Sequence, residues 1–460
     1  MRKKGLSIML VLLSIMLVTV FSLAGCKAAE ETAGEEETAG EEEAAGEEEA
    51  AEEEAAGEEV EIEVWSFREE SEFESQYLKT VKDKFEETHP NIKVNLVFAG
   101  HDILTKVRPK LISGEIPPDI FVQNTMIMDS LITEGLLYPL DELMEGPAYD
   151  QDMAFKDTFL PQILDHTMYF SDGSYYMAPR DLTVTGFLYN TQIFDDLGLT
   201  PPDTWEEFLD TCQAVKDSGL APLCQDGTIS YYNAWYYLGI AARYAGAEKL
   251  LQAAKNEISW DDPDFLESAK MVIELRDKGY FIENFEGSAW PGSQVDWAQG
   301  MGAMIFNASH VLAEVANVMP EDFSAAMFNM PGLEGRDPNN GQISELWAYN
   351  YVIPANSAHP EEAMEYIRFA LSKEIAQGQV EEALTPSCIA GVDNPVAGMT
   401  EILEDSTAYP RQYHLWDPGV IDWYNEVLLP LDDQLIWGKI SAEEFIDELA
   451  TQTDNYYESR

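Results

Sequence analysis

The order of strand-like and helix-like segments from residue 61 onward constrains the fold more than any other feature of this sequence. The stretch EIEVWSF (61–67) alternates along its length, with Ile62 and Val64 on one face, which is typical of a strand. A helical pattern over 72–89 follows, then the strand-like stretch IKVNLVFA, a second helical pattern and the strand-like stretch PPDIFVQN (117–124). Strands that alternate with helices predict an α/β fold, in which helices flank a sheet.

Residues that follow these strands are candidates for ligand binding. In sheets of this kind, ligands bind at the carboxyl ends of the strands. This rule indicates Ser66 to Arg68 and Gln123 to Thr125. Farther along, residues 173–199 predict a strand, a loop at Pro179-Arg180-Asp181 and a further strand that ends at Asn190.

The second half of the chain is rich in helical patterns. A helix is predicted over 203–219, with Asp203 as its N-cap and Glu206 three residues later. The stretches FSAAMFNMPG and ELWAYNYV predict further strands, Pro360 marks the first turn of a helix, and a helical tail begins at Ile421. The length beyond residue 59 predicts two domains of similar size.

The first 59 residues differ in composition from the rest. Three cations near the start precede an uncharged apolar run from Leu6 to Leu23, the pattern of a secretory signal peptide over residues 1–25. An uncleaved membrane anchor is the alternative, because the run is close to the roughly 20 residues that span a bilayer. The sequence Leu23-Ala24-Gly25-Cys26 favours the signal, since it is similar to the lipobox of bacterial lipoproteins. We therefore expect Cys26 to be acylated and to anchor the mature protein at the outer face of the cytoplasmic membrane.

Residues 26–59 form the predicted tether. From Lys27 to Glu59 the chain contains sixteen glutamates and no apolar side chain larger than alanine. Such a segment buries too little surface to offset the entropy lost on ordering, and its like charges repel one another. We expect a disordered, extended link between the lipid and the folded part.

Charge and motifs exclude several classes of function. The formal net charge of −58 disfavours nucleic acid and polyanionic partners. The sequence lacks the common phosphate-binding, dinucleotide-binding, zinc-protease and nucleophile-elbow motifs, and its six histidines are not spaced as metal ligands. We expect no cofactor and no metal. Two carboxylates that meet in the fold can still form a glycosidase site, so a surface glycan-degrading enzyme stays an alternative.

The cysteines other than Cys26 are Cys212, Cys224 and Cys388. We expect them to be small buried side chains. A bridge between Cys212 and Cys224 is the alternative, although nothing in the spacing requires it.

Aromatic residues point to a sugar. Ten tryptophans and 21 tyrosines are many for 460 residues, and several lie at strand ends or in polar stretches. Sugar rings stack their C–H faces on indole, and their hydroxyl groups need planar donors and acceptors. The tryptophans considered are Trp65, Trp235, Trp290, Trp297, Trp347, Trp416 and Trp423. For any one of them, packing in the core is the alternative.

A set of stretches occurs in a recognisable order: EIEVWSF, FEETHPNIKVNLVF, GEIPPDIFV, EGLLYPLDELM, the segment 173–219, GAMIFNASH, MFNMPG and YVIPANSAHPEEAMEYIRFALSKE. In this order they resemble the extracellular solute-binding proteins of ABC transporters, specifically the carbohydrate-binding class similar to maltose-binding protein. The resemblance covers Val60 to about Leu449. It implies a two-lobed α/β fold of the periplasmic-binding-protein type (class II), with mixed sheets flanked by helices and a ligand cleft between the lobes. Lobe one would comprise residues 60–178 and 329–376, and lobe two residues 179–328 and 377–460.

The resemblance also implies a set of ligand contacts by position. These are Trp65, Gln123, Asn124, Asp181, Trp235, Ser309, His310, Glu345, Trp347 and Trp423. Trp235 and Trp347 would stack on sugar rings, while the polar members, together with Arg180, would bond to hydroxyl groups. For Arg180 the alternative is a structural salt bridge. The chain departs from the family at SHV after GAMIFN and at ELWAY, which leaves the identity of the sugar open.

The function implied by the resemblance is capture and delivery. A lipid-anchored protein, expected to be a monomer, would bind a sugar or oligosaccharide without covalent chemistry and pass it to the permease subunits of an ABC importer. The same fold with another ligand, such as a peptide or a polyamine, is an alternative. An acidic cleft would favour a cation, whereas the aromatic residues favour a sugar.

Overall fold

The computed structural model describes residues 59–113, 115–125, 128–161, 163–164, 173–337, 340, 343–344, 346–394, 396–405 and 420–460. The predicted signal, the predicted tether with Cys26 as far as residue 58, Glu345 and Trp416 lie outside these residues. Residues from Glu58 to Arg460 form one compact unit. Within the described part, no helix combines the length and the apolar character needed to cross a membrane.

Strands from distant parts of the chain make one continuous mixed sheet. The strands are β1 Val60–Ser66, β2 Ile92–Phe98, β3 Ile120–Asn124, β4 Ala178–Asn190, β5 Ala221–Cys224, β6 Gly302–Ala308, β7 Ala325–Phe328 and β8 Leu346–Val352. Their order is β2-β1-β3-β8-β4-β6-β5, and β7 also pairs with β4. Strand β1 is parallel to β2 and β3, and β5 is parallel to β6, whereas β8 is antiparallel to β3 and β4.

Helices connect and cover these strands. They are α1 Phe73–Thr88, α2 Ile103–Ser113, α3 Met128–Thr133, α4 Asp141–Glu145, α5 Thr191–Leu197, α6 Trp205–Asp217, α7 Ser230–Ala245, α8 Ala247–Ala254, α9 Pro263–Asp277, α10 Gly292–Ala298, α11 Val311–Val315, α12 Pro360–Ala370, α13 Lys373–Ala383, α14 Met399–Asp405, α15 Ile421–Trp423, α16 Leu429–Ile436 and α17 Ala442–Glu458. Short 3₁₀ turns lie at Phe155–Thr158 and Phe285–Gly287, and a π-helical turn, Tyr424–Leu428, joins α15 to α16.

The predicted alternation of strands and helices from residue 61 is confirmed by β1, α1, β2, α2 and β3. Ile62 and Val64 are buried on one face of β1, whereas Trp65 on the other face is only half-buried. Val64 lies opposite Ile120 in the parallel pairing of β1 with β3. The apolar alternation sets this pairing, because a shift by one residue would turn the buried face of β1 toward solvent.

The prediction of a loop at Pro179-Arg180-Asp181 is wrong. Strand β4 runs without a break through these residues and pairs with β8 on both sides of them, with an irregularity in the register between Pro179 and Asp181. Proline has no N–H to donate to a ladder and is tolerated in sheets at such irregularities. The turn-like residues therefore mark a bulge in a long strand.

The predicted start of the helix near 203 is displaced by one residue. Thr204 is the N-cap of α6, and its hydroxyl accepts a hydrogen bond from the N–H of Glu207 at 3.3 Å. The Glu207 carboxylate in turn accepts from the N–H of Thr204 at 3.1 Å. This reciprocal arrangement is a capping box, so Thr204 and Glu207 replace the predicted Asp203 and Glu206.

The buried apolar residues form two clusters. One is built mainly from residues 62–188 and 346–403, and the other mainly from residues 187–330 and 420–456. The predicted lobe boundaries remain a prediction. Residues 377–403, which that prediction places in lobe two, contribute their buried apolar side chains to the first cluster.

Cys212, Cys224 and Cys388 are separate, buried thiols. Burial raises the pKa of each thiol above its ordinary value, which keeps the group neutral and unreactive. The expectation of small buried side chains is confirmed, and the structure contains no bridge between Cys212 and Cys224.

A buried carboxyl group in α16 generates a prediction about stability. Asp432 is fully buried, and in the described part neither of its carboxyl oxygens has a hydrogen-bond partner. Burial raises the pKa of Asp432 well above 3.8, so the folded state retains a proton that the unfolded state releases. The free energy of unfolding therefore falls as the pH rises above about 4.

We expect Asp432→Asn to remove the fall in the free energy of unfolding above about pH 4. At about pH 7.5 the variant should unfold about 2 °C or more above the parent protein, and the difference should shrink toward pH 4. Thermal unfolding across this pH range measures the effect, with Asp447→Asn on the exposed face of α17 as the control. A variant that is less stable at every pH would contradict the neutral, buried state of Asp432.

Candidate functional site

A cavity of about 680 Å³ lies where residues from both clusters meet. This volume is in the range of sites that hold small molecules. Its lining includes Arg68, His101, Asn124, Ile229, Tyr231, Tyr232, Trp235, Trp290, His310, Glu314, Trp347 and Tyr349.

One wall of the cavity comes from the carboxyl ends of three parallel strands. Arg68 follows β1, His101 follows β2, and Asn124 is the last residue of β3. Because β1 is parallel to both neighbours, these three strand ends lie at the same edge of the sheet.

The opposite wall is built in the same way from β5 and β6. Helix α7 follows β5 and carries Tyr231, Tyr232 and Trp235, while His310 and Glu314 follow β6. Strand β8 crosses between the two walls and contributes Trp347 and Tyr349. The cavity is therefore lined by two sets of parallel strand ends and by the strand between them.

Aromatic faces make up much of the lining. Tyr232 stacks on Trp235, with ring centroids 4.8 Å apart, and Trp347 lies 6.3 Å from Trp235. Tyr349 of β8 stacks at 4.2 Å on Phe67, which follows β1 on the other wall. Trp235 and Trp347 are deep, at 7% and 8% exposed, whereas Trp290 is 47% exposed.

Arg68 is held in place by two carboxylates. Its guanidinium group lies 2.5 Å from a Glu74 oxygen and 3.2 Å from a Glu72 oxygen. The guanidinium carbon is also 4.5 Å from the centroid of the Phe67 ring. Glu74 accepts a further hydrogen bond from the Thr385 hydroxyl at 2.5 Å, so a segment about 300 residues away supports the arginine.

Glu72 joins Arg68 to His101. One Glu72 oxygen lies 3.0 Å from Nε2 of His101. Burial by itself raises the pKa of Glu72, but the hydrogen bonds from His101 and from the Glu69 N–H, with the charge of Arg68, outweigh burial and lower that pKa to about 2. The same hydrogen bond raises the pKa of His101 above 6.5.

A second histidine–carboxylate pair lies on the opposite wall. Nε2 of His310 is 3.3 Å from a Glu314 oxygen, and the Trp290 indole N–H donates to the other Glu314 oxygen, also at 3.3 Å. Burial raises the pKa of Glu314, but His310 and the Trp290 hydrogen bond outweigh this effect, so the pKa is lowered overall. Glu314 is therefore a carboxylate with partners on both oxygens.

The family model for bacterial extracellular solute-binding proteins matches residues 70–377, more than half of the chain. This chain belongs to that family. The multiple sugar-binding protein of Streptococcus mutans is 24% identical over 363 residues, which cover 76% of this chain and 80% of that protein. The melibiose/raffinose/stachyose-binding protein MelE of Bacillus subtilis is 23% identical over 386 residues, 80% of this chain and 81% of that protein.

Solved structures show the same fold. The solute-binding protein RafE in complex with raffinose superposes with a TM-score of 0.68 at 21% sequence identity, over 85% of this chain and 98% of that chain. The predicted two-lobed α/β class with mixed sheets is confirmed for this solute-binding protein.

Four of the predicted contact residues line the cavity of this solute-binding protein. They are Asn124, Trp235, His310 and Trp347. Asn124 was predicted from its place at a strand end and from the resemblance, Trp235 and Trp347 from the aromatic argument and the resemblance, and His310 from the resemblance alone. These four residues lie on or directly after β3, β6, β8 and the helix that follows β5.

Arg180 and Asp181 lie elsewhere, in β4, and are buried. Arg180 donates to Asp181 at 2.8 Å, which is the structural salt bridge considered as its alternative. Gln379 donates to the other Asp181 oxygen at 3.0 Å. Burial raises the pKa of Asp181 to about 6. This pair does not belong to the cavity lining in the described part of the chain.

The remaining predicted residues have partners within the fold. Trp423 is buried, stacks on Trp260 at 5.7 Å and donates to Thr453 at 2.9 Å. The Ser309 hydroxyl accepts from the N–H of Val184 at 3.1 Å. Gln123 accepts from the N–H of Asn124, and Trp65 donates to Glu63. Glu345 lies outside the described residues.

Several lining residues were not among the predicted contacts. His101 follows β2, and the strand-end rule that indicated Arg68 would also have indicated this residue. Tyr231 and Tyr232 lie four and three residues before the predicted Trp235, but their pattern is that of core residues of a helix. No local pattern distinguishes Glu314 or Tyr349 from a surface glutamate or a strand tyrosine.

Metal-ligating side chains are not clustered in this part of the molecule. Among the residues that the structure describes, no group of three or more His, Cys, Asp or Glu side chains is arranged to hold a metal ion. The cavity lining instead offers aromatic faces, an arginine, an amide and paired charges.

The Glu72–His101 pair generates a prediction that needs no ligand. Replacement of Glu72 by glutamine removes the charge that raises the pKa of His101 and leaves the repulsion from Arg68. We expect the pKa of His101 to fall from its raised value to about 6.5 or below. NMR titration of the histidine ring, assigned with a His101→Gln variant, measures the change.

The matched control is Glu70→Gln, because Glu70 is an exposed neighbour that pairs with Lys79. This control should leave the His101 titration where it is in the parent protein. An unchanged His101 pKa in Glu72→Gln would show that the pair is not formed in solution.

Proposed function

We propose that this protein captures an oligosaccharide in the cavity and delivers it to the permease subunits of an ABC importer. It does so from the outer face of the cytoplasmic membrane, where lipid on Cys26 holds it. The observation that carries the proposal is the combination of stacked aromatic faces with interspersed polar groups in one cavity.

Sugars match this lining chemically. The C–H faces of a pyranose stack on indole and phenol rings. The site offers such rings, because Trp235 lies 4.8 Å from Tyr232 and 6.3 Å from Trp347. Hydroxyl groups need both donors and acceptors, which Asn124 and Arg68 provide on the opposite wall.

The charges at the site favour a neutral ligand. Arg68 is held by Glu72 and Glu74, and both oxygens of Glu314 have partners, His310 and the Trp290 indole. A charged ligand would have to displace one of these partners or remain unpaired in a partly buried site, and either outcome is costly. A neutral sugar requires neither.

The relatives agree with this class of ligand. The similar proteins from S. mutans and B. subtilis are named for sugar binding, and RafE was solved with raffinose. Capture by lobe closure follows if the closed state binds the sugar more tightly than the open state. We propose the two lobes as predicted, except that residues 377–403 join lobe one with the first buried cluster.

The alternatives receive less support from the site. Glycosidases use a pair of carboxylates, and the described lining contains one, Glu314, which is paired with His310. A polyamine needs carboxylates without partners of their own, and Glu314 has two partners.

A thermal-shift screen tests the function. Residues 26–460 carrying Cys26→Ser would be heated with mono- and oligosaccharides, amino acids, polyamines and metal ions. A ligand that binds only the native state raises the unfolding midpoint by mass action, and we expect a neutral oligosaccharide to do so. Trp235→Ala should weaken the affinity about tenfold or more, because it removes a deep stacking face.

The control is Tyr149→Ala, which changes an exposed aromatic residue outside the described lining. Recovery of the sugar unchanged after incubation supports binding. Recovery of cleaved sugar would instead establish the enzyme alternative, and a shift by a polyamine or a metal ion alone would overturn the sugar assignment.

The lipid anchor has its own test. In a bacterial host, the full chain should partition into the detergent phase of Triton X-114, and its mature N-terminus should be an acylated Cys26 by mass spectrometry. Cys26→Ser should lose the acyl mass, because it removes the acylation site. Glu36→Gln in the tether is the control and should retain the acylated N-terminus of the parent; a parent protein that keeps residues 1–25 and carries no acyl group would indicate an uncleaved anchor.

A further inference from the structure

The half-exposed Trp290 at the cavity lies on a short segment that is held from both sides. This segment runs from the 3₁₀ turn Phe285–Gly287 to helix α10. A tryptophan that is 47% exposed does not have the burial expected of a core residue. Its indole N–H donates to Glu314, so the ring is oriented rather than left in solvent.

Asp226 holds the segment on both sides of Trp290. This residue is fully buried, and its Oδ1 accepts from the Ser288 hydroxyl at 2.6 Å and from the N–H of Ser293 at 2.8 Å. The Gln294 amide, oriented with its nitrogen toward the carboxylate, donates to Oδ2 at 2.7 Å. One side chain therefore fixes residues two positions before and three and four positions after the tryptophan.

The turn that contains Asp226 also touches the segment through its backbone. The Thr228 N–H and hydroxyl both donate to the carbonyl oxygen of Ser288, at 3.1 and 2.8 Å. Gly227 lies so close that an added Cβ would be 2.5 Å from the Phe285 carbonyl oxygen. Only glycine permits this approach without a shift of backbone.

The same turn is joined to the helix that carries the deep aromatic rings. In α7, Asn233 donates to the Gly227 carbonyl oxygen at 2.9 Å and accepts from Gln225 at 2.8 Å. Residues 225–228 thus connect the helix of Tyr232 and Trp235 to the segment of Trp290. The spacing between the deep rings and the exposed ring is set at this turn.

We infer that Asp226 is a positioning residue that places Trp290 as the outer sugar-stacking surface of the cavity, and that Trp290 selects longer oligosaccharides over shorter ones. This inference rests on the proposed function. Trp235 and Trp347 are deep enough to hold the first ring of any bound sugar, whereas the more exposed Trp290 is reached only by a ligand that extends outward.

The test compares ligand length. Dissociation constants would be measured by calorimetry for melibiose, raffinose and stachyose, for xylobiose and xylotriose, and for chitin di- and trisaccharides. In the series that binds, Trp290→Ala should weaken the longest member about tenfold and the shortest less than about twofold. Trp290→Phe should restore most of the affinity for the longest member, and Tyr149→Ala, an exposed aromatic residue outside the described lining, should change neither.

A double-mutant cycle identifies the positioning role. Asp226→Asn should reproduce the length-dependent loss in the parent protein and add nothing in the Trp290→Ala background, because it acts through the tryptophan. Ser288→Ala removes one hydrogen bond to Asp226 and should give a smaller, equally length-dependent loss of affinity. This variant replaces Asp226→Asn in the cycle if Asp226→Asn does not fold.

Three results would overturn the inference. Trp290→Ala with unchanged affinities, or with equal losses at every length, would remove Trp290 as a length selector while leaving the proposed function intact. Additive effects of Asp226→Asn and Trp290→Ala would give Asp226 a merely structural role. Binding of none of these sugars by the parent protein, together with no shift by any oligosaccharide in the thermal-shift screen, would overturn the proposed function and this inference with it.

Discussion

The rest of the structure depends on the pairing of one long strand with two groups of partners. The first part of β4 pairs with β8, and its last residues pair with β6 and β7. Neighbouring residues of β4 consequently enter different clusters, with Leu188 in the first and Phe187 in the second. Because successive side chains of a strand point to opposite faces, a single strand can belong to both clusters. The continuity of the sheet is what brings the two walls of the cavity together.

The two walls of the cavity are built in the same way. Parallel strands end at a common edge, and the chain there has not yet entered its next helix, so polar and aromatic side chains are available to a ligand. Arg68, His101 and Asn124 follow this rule on one wall, and His310 follows it on the other. Charged members of the lining already have partners within the fold, as Arg68 has in Glu72 and Glu74. The result is a partly buried site whose charged groups are hydrogen-bonded before a ligand enters, which suits a neutral and heavily hydroxylated ligand.

Aromatic residues of the same type have different roles in this molecule. Trp423 stacks on Trp260 inside the core, Trp235 and Trp347 are deep in the cavity, and Trp290 is held at an exposed position by its hydrogen bond to Glu314. The side chains that support these rings make defined hydrogen bonds. Asp226 and Asn233 tie the exposed segment and the aromatic helix to one turn, so the lining behaves as a unit rather than as independent side chains.

The sequence by itself determined the α/β class, the order and approximate positions of the first three strands, and the strand ends near Arg68 and Asn124. These features depend on periodicity and turn chemistry over a few residues, and such local patterns can be identified from the sequence. Resemblance supplied His310 and, together with the aromatic argument, Trp235 and Trp347. Only the tertiary structure decided that Asp181 pairs with Arg180 and Gln379, that Trp423 is core, and that Glu314 and Tyr349 face the cavity. Those roles depend on contacts between residues far apart in the chain, such as Glu74 with Thr385, for which no local pattern exists.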